Sequence, residues 1–469
     1  MVKSRNSAIF ANGNGHYRNG GYRLSKKQRQ TMKFYDRKEE IALLERIVKQ
    51  SREQSRMTVL VGRRRIGKTE LAKRCGDSLV LYFFVARKAE SLLCDDFVRE
   101  AEAKLGIPIG HFTSVATLFG YLLQLSAQRP FTIIMDEFQD FYRVNPAVFS
   151  EIQNQWDRYK DQGHLNLIIS GSIFTMMKHI FEDSKEPLFS RAQKKITVLP
   201  FKTVVLKTIL KDYNPHYTPD DLLTLYAITG GVAWYVTLLM DDGYCDRESM
   251  LAALTARDSL FIHEGQNMLV EEFGKEYTTY FSILSCIADG LYSRGEIENR
   301  LNMTNLGSYL KRLENDFLLI KRHVPVFESA SSKKTRYELN DNFLILWFRF
   351  FYKYQAMVEN DALGQLARIV VRDFDQFSGL CLERYFRQKL RESGRYTRIG
   401  GYWNRSGENE IDIVAVNEID GVADIFEVKR HRSRYDEKLL QDKVAEMLKT
   451  CKPLQGMKIT LGCLALEDM

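Results

Sequence analysis

Three groups of residues in this chain have the types and spacing to do chemistry. The first is Gly62-Arg63-Arg64-Arg65-Ile66-Gly67-Lys68-Thr69, which fits the pattern G-x-x-x-x-G-K-[ST]. Its two glycines let the backbone curl until its N–H groups face phosphate oxygens. Lys68 would reach the β- and γ-phosphates of a triphosphate, and the Thr69 hydroxyl would ligate magnesium. Glu70 follows in the first turn of the next helix, whose positive end adds to the anion site. The second group is Asp136-Glu137, closing the apolar run Phe131–Met135. Asp136 would hold the magnesium through a water, and Glu137 would orient or deprotonate the attacking water. The third is Glu383, Asp412, Glu427 and Lys429. Alternation along a strand puts Glu427 and Lys429 on one face. An adjacent antiparallel strand brings Asp412 beside them. Asp412 and Glu427 would then bind magnesium, with Lys429 positioning a water or stabilising charge on a phosphate.

The elements needed to position these groups are legible in outline. Short apolar runs near 57–61, 79–86, 131–135, 165–169 and 196–199 alternate with helical patterns, which predicts a parallel sheet with helices on both faces. Ser170-Gly-Ser172 ends the fourth run. A serine there either senses the γ-phosphate or caps the next helix. Arg191 precedes the fifth run, as a finger on a neighbouring subunit's nucleotide or as a structural arginine. Residues 201–270 read as helical throughout. Three short helical patterns from 277 to 313, then a hairpin over 318–339 with a basic tip, predict a winged helix. Arg300, Lys311, Arg312, Lys333, Lys334 and Arg336 are its candidate contacts to DNA phosphates. An aromatic-rich helix is predicted over 342–354. Beyond it the expected order is a helix (377–390), two alternating strands (411–416 and 423–428), a helix (436–448) and a last strand (457–466).

Residues 34–240 resemble the archaeal-type P-loop ATPase family, within the wider AAA-like and signal-transducing NTPases. The resemblance rests on Phe34-Tyr-Asp-Arg37, the arginine-rich phosphate loop, Asp136-Glu137, Ser170-Gly-Ser172, Arg191 and Gly230-Gly231. Relatives often carry a proline against adenine two residues after the second glycine; here it is Ala233. The resemblance implies binding of ATP or ADP with Mg2+ through residues 62–70, Asp136, Ser170 and Ser172. The C-terminal constellation resembles the PD-(D/E)xK nuclease pattern. Together with Asp341-Asn-Phe-Leu-Ile-Leu-Trp-Phe-Arg349, Glu427-Val-Lys429 looks like the uncharacterised domain commonly fused to these ATPases.

The fold expected is α/β: a P-loop NTPase parallel sheet with a helical lid, a winged-helix domain and a C-terminal restriction-endonuclease-like domain. The expected divisions are a basic tail (1–31), ATPase core (32–200), lid (201–272), winged helix (273–355) and nuclease-like domain (356–469). The function expected is an ATPase whose nucleotide state regulates a DNA-acting module. The alternative is a nucleotide switch acting through protein contacts, with an inactive nuclease fold. Expected partners are double-stranded DNA and, through Arg191, further copies of the chain.

Composition agrees with this outline. The chain has 469 residues, 45% hydrophobic and 12% aromatic, too apolar for long disorder. Eight basic residues and no acidic one fall before Asp36. Removing them leaves 60 basic against 60 acidic residues, so the net charge of +8 belongs to the tail. The tail itself reads as disordered, as a basic arm for nucleic acid or as an extension ahead of Met32. Seven scattered cysteines without a C-x-x-C predict reduced thiols in the cytoplasm. No apolar run is long enough to predict a membrane span.

Overall fold

The computed structural model describes residues 32–274, 277–329 and 331–469. The predicted tail, 1–31, lies outside them.

The five predicted strands form one parallel sheet, the fifth lying at Lys194–Thr197 rather than 196–199. Its strands are β1 (Arg56–Val61), β2 (Val80–Phe84), β3 (Phe131–Asp136), β4 (Leu165–Ser170) and β5 (Lys194–Thr197), in the order β2-β3-β4-β1-β5. Strands β3 and β4 are buried at every position, as expected where helices cover both faces. One face packs on helices Glu90–Leu105, Val115–Leu125 and Val148–Tyr159. The other packs on helix Lys38–Ser51 and the helices between Thr203 and Phe273. The sheet's C-terminal edge carries both candidate phosphate-site motifs: Gly62 follows β1, and Asp136 ends β3.

Three helices, Tyr277–Ala288, Arg294–Leu301 and Gly307–Asn315, precede the antiparallel hairpin β6 (Ile320–His323) and β7 (Arg336–Leu339). The aromatic segment starts as an α-helix over Asn342–Leu346, capped by the Asp341 side chain on Leu344 N at 3.0 Å. It continues as a π-helical turn through Trp347–Tyr352. Trp347, Phe348, Phe350 and Phe351 are all buried, as the apolar pattern requires.

The helix predicted over 377–390 is longer, running from Leu363 to Glu392. It starts early because Leu366, Val370 and Phe374 continue its buried stripe. Beside it lies a four-stranded sheet of β8 (Arg398–Trp403), β9 (Glu410–Asn417), β10 (Val422–Lys429) and β11 (Lys458–Ala465), in the order β11-β10-β9-β8. Strand β8 has no alternating pattern and two central glycines. It exists because β9 supplies its hydrogen bonds, across a register shift at Gly400/Tyr402. Strands β8, β9 and β10 are antiparallel, and β11 is parallel to β10. Helix Glu437–Thr450 covers the other face of this sheet.

One buried core runs from Leu44 and Leu60, through the helices of 203–273 and the aromatic turn, to Phe377, Ile413 and Ala415. All seven cysteines are free thiols. No helix among the described residues is long and apolar enough to cross a membrane.

Candidate active sites

The phosphate loop is shaped by its glycines. Gly62 has φ 155°, and a Cβ there would lie 2.5 Å from the Val198 carbonyl oxygen, so only glycine fits. Gly67, at φ 93°, turns the chain into helix Lys68–Ala72. Lys68 is buried and donates to the carbonyls of Gly62 and Arg63 at 2.9 and 3.0 Å. Burial lowers its ammonium to about 8, against the opposing pull of Glu137 and Asp136. Ile66 is buried in the core beneath the loop.

Thr69 and Asp136 meet across the sheet edge. The Thr69 hydroxyl donates to Asp136 Oδ2 at 2.6 Å, Tyr82 donates to the same oxygen at 2.8 Å, and Ser170 donates to Oδ1. Burial opposes ionisation of Asp136, but these hydroxyls outweigh it and hold the carboxyl below its ordinary range. Glu137 has a left-handed backbone, φ 55°, which turns the chain out of β3. Its carboxylate accepts from Ser172 Oγ at 2.6 Å and from Gln139. Both serines of Ser170-Gly-Ser172 therefore touch the acidic pair. The Glu70 side chain is exposed and pairs with Arg74 at 2.7 Å.

The loop's three arginines are each held by a carboxylate from outside the five-stranded sheet. Arg63 pairs with Asp341 and Arg64 with Glu271. Arg65 pairs with Glu264 at 2.7 Å and lies 3.7 Å from the Trp234 ring centroid. Helix Ala233–Asp241 abuts the loop: Trp234 N donates to the Arg65 carbonyl at 3.1 Å, and Ala233 faces Gly67. Glu272 lies in the same cleft. Burial raises its carboxyl to about 7, although Arg63, Arg64 and Lys68 pull it down. Tyr82, Glu264, Glu271 and Glu272 carry no local motif, so the sequence did not single them out.

Arg191 lies at the far edge of the sheet. Its neighbour Gln193 bonds Met57 at the start of β1, whereas the phosphate loop follows the end of β1. Its guanidinium donates to Asp157 at 3.0 Å and to the Phe189 carbonyl at 2.9 Å. It does not approach the loop of its own chain.

Strand pairing brings Asp412, Glu427 and Lys429 of the C-terminal quartet together. Strand β9 runs antiparallel to β10, so Asp412 lies beside Glu427. Asp412 Oδ2 accepts from Val428 N at 2.7 Å and lies 3.8 Å from Lys429 Nζ. Lys429 Nζ donates to Glu427 at 2.6 Å. Burial and the neighbouring Glu427 push the Asp412 carboxyl up. Burial also opposes ionisation of Glu427, but Lys429 and Lys443 prevail and hold it down. Lys443, from helix Glu437–Thr450, donates to the second Glu427 oxygen at 2.7 Å; no spacing in the sequence marks it. Glu383 faces this group from the long helix. It pairs with Arg387, and burial raises it to about 7. Arg387 also donates to the Asp412 carbonyl at 2.9 Å. Among the described residues, no three His, Cys, Asp or Glu side chains gather as a cation site.

The basic hairpin is less free than its sequence suggests. Lys334 pairs with Glu328 at 2.7 Å. Arg336 pairs with Glu410 of β9 at 2.8 Å and lies over the Trp403 ring. Trp403 in turn donates to the Lys334 carbonyl at 2.9 Å. Arg312 lies over Tyr280 and Phe317.

Residues 34–239 match a family described as an ATPase domain predominantly from Archaea. Residues 347–440 match a family of archaeal and bacterial proteins of unknown function. An uncharacterized protein of Methanocaldococcus jannaschii is 33% identical over 411 residues, covering 84% of this chain and 87% of that protein. Among solved structures, a Walker-type ATPase of Pyrococcus abyssi is similar at 17% identity and TM-score 0.49, over 67% of this chain and 96% of the other. The ORC2 protein of Aeropyrum pernix, solved as ADPNP–ADP complexes, is similar at 17% identity and TM-score 0.44, over 69% of this chain and 96% of the other.

Proposed function

The chain belongs to the family of its Methanocaldococcus jannaschii relative and carries an archaeal-type ATPase domain, and from that premise we propose that it hydrolyses ATP and uses its nucleotide state to govern a DNA-acting C-terminal module. The observation that carries the reading is the 2.6 Å contact between Thr69 and Asp136 beside the Lys68 ammonium. Two hard oxygen donors converge there, of the kind magnesium takes. Thr69 and Asp136 would hold that ion, which neutralises phosphate charge when bound. Lys68 and the loop amides would bind the β- and γ-phosphates, and Glu137, steadied by Ser172, would accept a proton from the attacking water. Arg191 is held by Asp157 away from its own loop, and a finger role for it would act on the nucleotide of a neighbouring copy in a homo-oligomer. The test is ATP turnover by wild type and Glu137→Gln. Loss of turnover with ATP binding kept supports the assignment; unchanged turnover removes it.

The divisions at 200, 272 and 355 belong to the same proposal, with 273–355 as a winged helix and 356–469 as a PD-(D/E)xK nuclease-like domain. Support comes from the proximity of Asp412, Glu427 and Lys429, with Glu383 facing them. Magnesium would be held by Asp412 and Glu427, and Lys429 would stabilise the scissile phosphate. A second reading, a nucleotide switch with an inactive nuclease fold, is favoured by one observation. Both Glu427 oxygens are already engaged, by Lys429 and Lys443. Supercoiled plasmid with magnesium or manganese, with and without ATP, separates the two. Nicking lost in Asp412→Ala and Lys429→Ala favours the nuclease. Intact ATP turnover without nicking favours the switch.

A further inference from the structure

A cavity of about 830 Å³ lies where the ATPase core, the β6–β7 hairpin and the long helix meet. One end reaches Gly62 and Arg63. The other end is walled by Lys321 and His323 of β6 and by Arg384, Arg387 and Arg391 of the long helix. Carboxylates line the cavity as well, Asp36, Glu39, Glu40, Glu338, Asp341 and Glu392, but none of them pairs with Lys321 or Arg391. Glu338 is taken by Arg384 at 3.2 Å and by His323 at 3.5 Å. Glu392 accepts from Thr203 N at 2.9 Å and from Gln388 at 2.7 Å. Arg387 spends its charge on Glu383, and its buried Nε has no hydrogen-bond partner among the described residues. Lys321 and Arg391 have neither an ion pair nor a side-chain hydrogen bond there.

Both of these side chains are solvent-exposed, yet the cavity walls surround them closely enough to weaken their charges. Burial, then Arg391 and Arg387, lower Lys321 to about 8. Burial and Arg387 lower Arg391. Burial takes His323 to about 4 despite Glu338, so it is neutral at pH 7. Like charges at this spacing repel, and an anion between them relieves the repulsion. Guanidinium forks beside an ammonium match phosphate oxygens in geometry as well as charge. The volume suits a nucleotide-sized solute.

We propose that this end of the cavity is a second anion site, separate from the phosphate loop, which takes the phosphate groups of a small solute on Lys321, Arg387 and Arg391. A solute there bridges the hairpin to the long helix, the element that carries Glu383. The probe is inorganic tripolyphosphate, titrated calorimetrically into the full chain. Wild type is expected to show two sites, one of them lost in Lys68→Ala. The double variant Lys321→Gln/Arg391→Gln is expected to weaken the other at least about tenfold and keep the loop site. Both residues are exposed and unpaired, so its Tm should be no lower than that of wild type. A single wild-type site, complete loss of binding in Lys68→Ala, or two unaltered sites in the double variant would each overturn the proposal. Displacement of tripolyphosphate from this second site by duplex DNA would overturn the small-solute assignment.

Discussion

Asp341 joins the phosphate loop to the far half of the chain. One carboxylate oxygen caps helix Asn342–Leu346 through Leu344 N at 3.0 Å, and the other pairs with Arg63. The residue is buried, so its charge is fully committed to these two partners. Asp341→Asn should keep the cap and release Arg63 toward bound phosphates. ATP affinity is then expected to rise severalfold, the effect of about 1 kcal/mol of recovered positive potential. A titration of ATP into the variant checks this. Unchanged affinity would mean that Arg63 stays on Asp341 in the nucleotide complex.

Lys68 is the one loop cation without a carboxylate partner of its own within ion-pair distance. Its hydrogen bonds go to backbone carbonyls, which phosphate oxygens can replace. Lys68→Ala should weaken ATP by about 10- to 100-fold, the loss of a charge-assisted hydrogen bond. Wild-type affinity in equilibrium binding would contradict that role.

Glu272 gives the nucleotide-free protein a pH dependence. Its folded value, about 7, is above the ordinary 4.5. Between those values the folded state keeps a proton that the unfolded chain has released. The contribution is therefore fully present below about 4.5, falls as pH rises through the window and is gone above about 7. Glu272→Gln should remove that slope, so its Tm relative to wild type should climb between pH 5 and 7.5. Parallel Tm curves for the two proteins would rule the assignment out.

Gly265 lies in helix Phe261–Phe273 against the Trp347 indole. A Cβ there would sit 2.3 Å from Trp347 Cδ2, while Trp347 Nε1 is anchored to the Ile262 carbonyl at 2.7 Å. The ring cannot retreat without losing that bond. Gly265→Ala is expected to cost about 1–3 kcal/mol by overpacking, despite alanine's better helix propensity. Denaturant unfolding measures it, and a stabilised variant would show that the contact can relax.

The sequence alone determined the groups whose chemistry depends on local spacing. The phosphate loop needs consecutive backbone atoms, so glycines at 62 and 67 with Lys68 and Thr69 announce it. A buried parallel strand must be apolar throughout, so β3 and the acids at its end were legible, as was the β9–β10 pair that sets Asp412 beside Glu427. Tertiary structure decided what has no local period. Strand β8 follows from pairing with β9, not from alternation. Tyr82, Glu264, Glu272 and Lys443 reach the sites from elements distant in sequence, and only packing sets their distances. Arg336 reads as a free wing cation until the fold places Glu410 and Trp403 against it. Charge and apolar pattern are properties of residues, whereas a partner is a property of the folded chain.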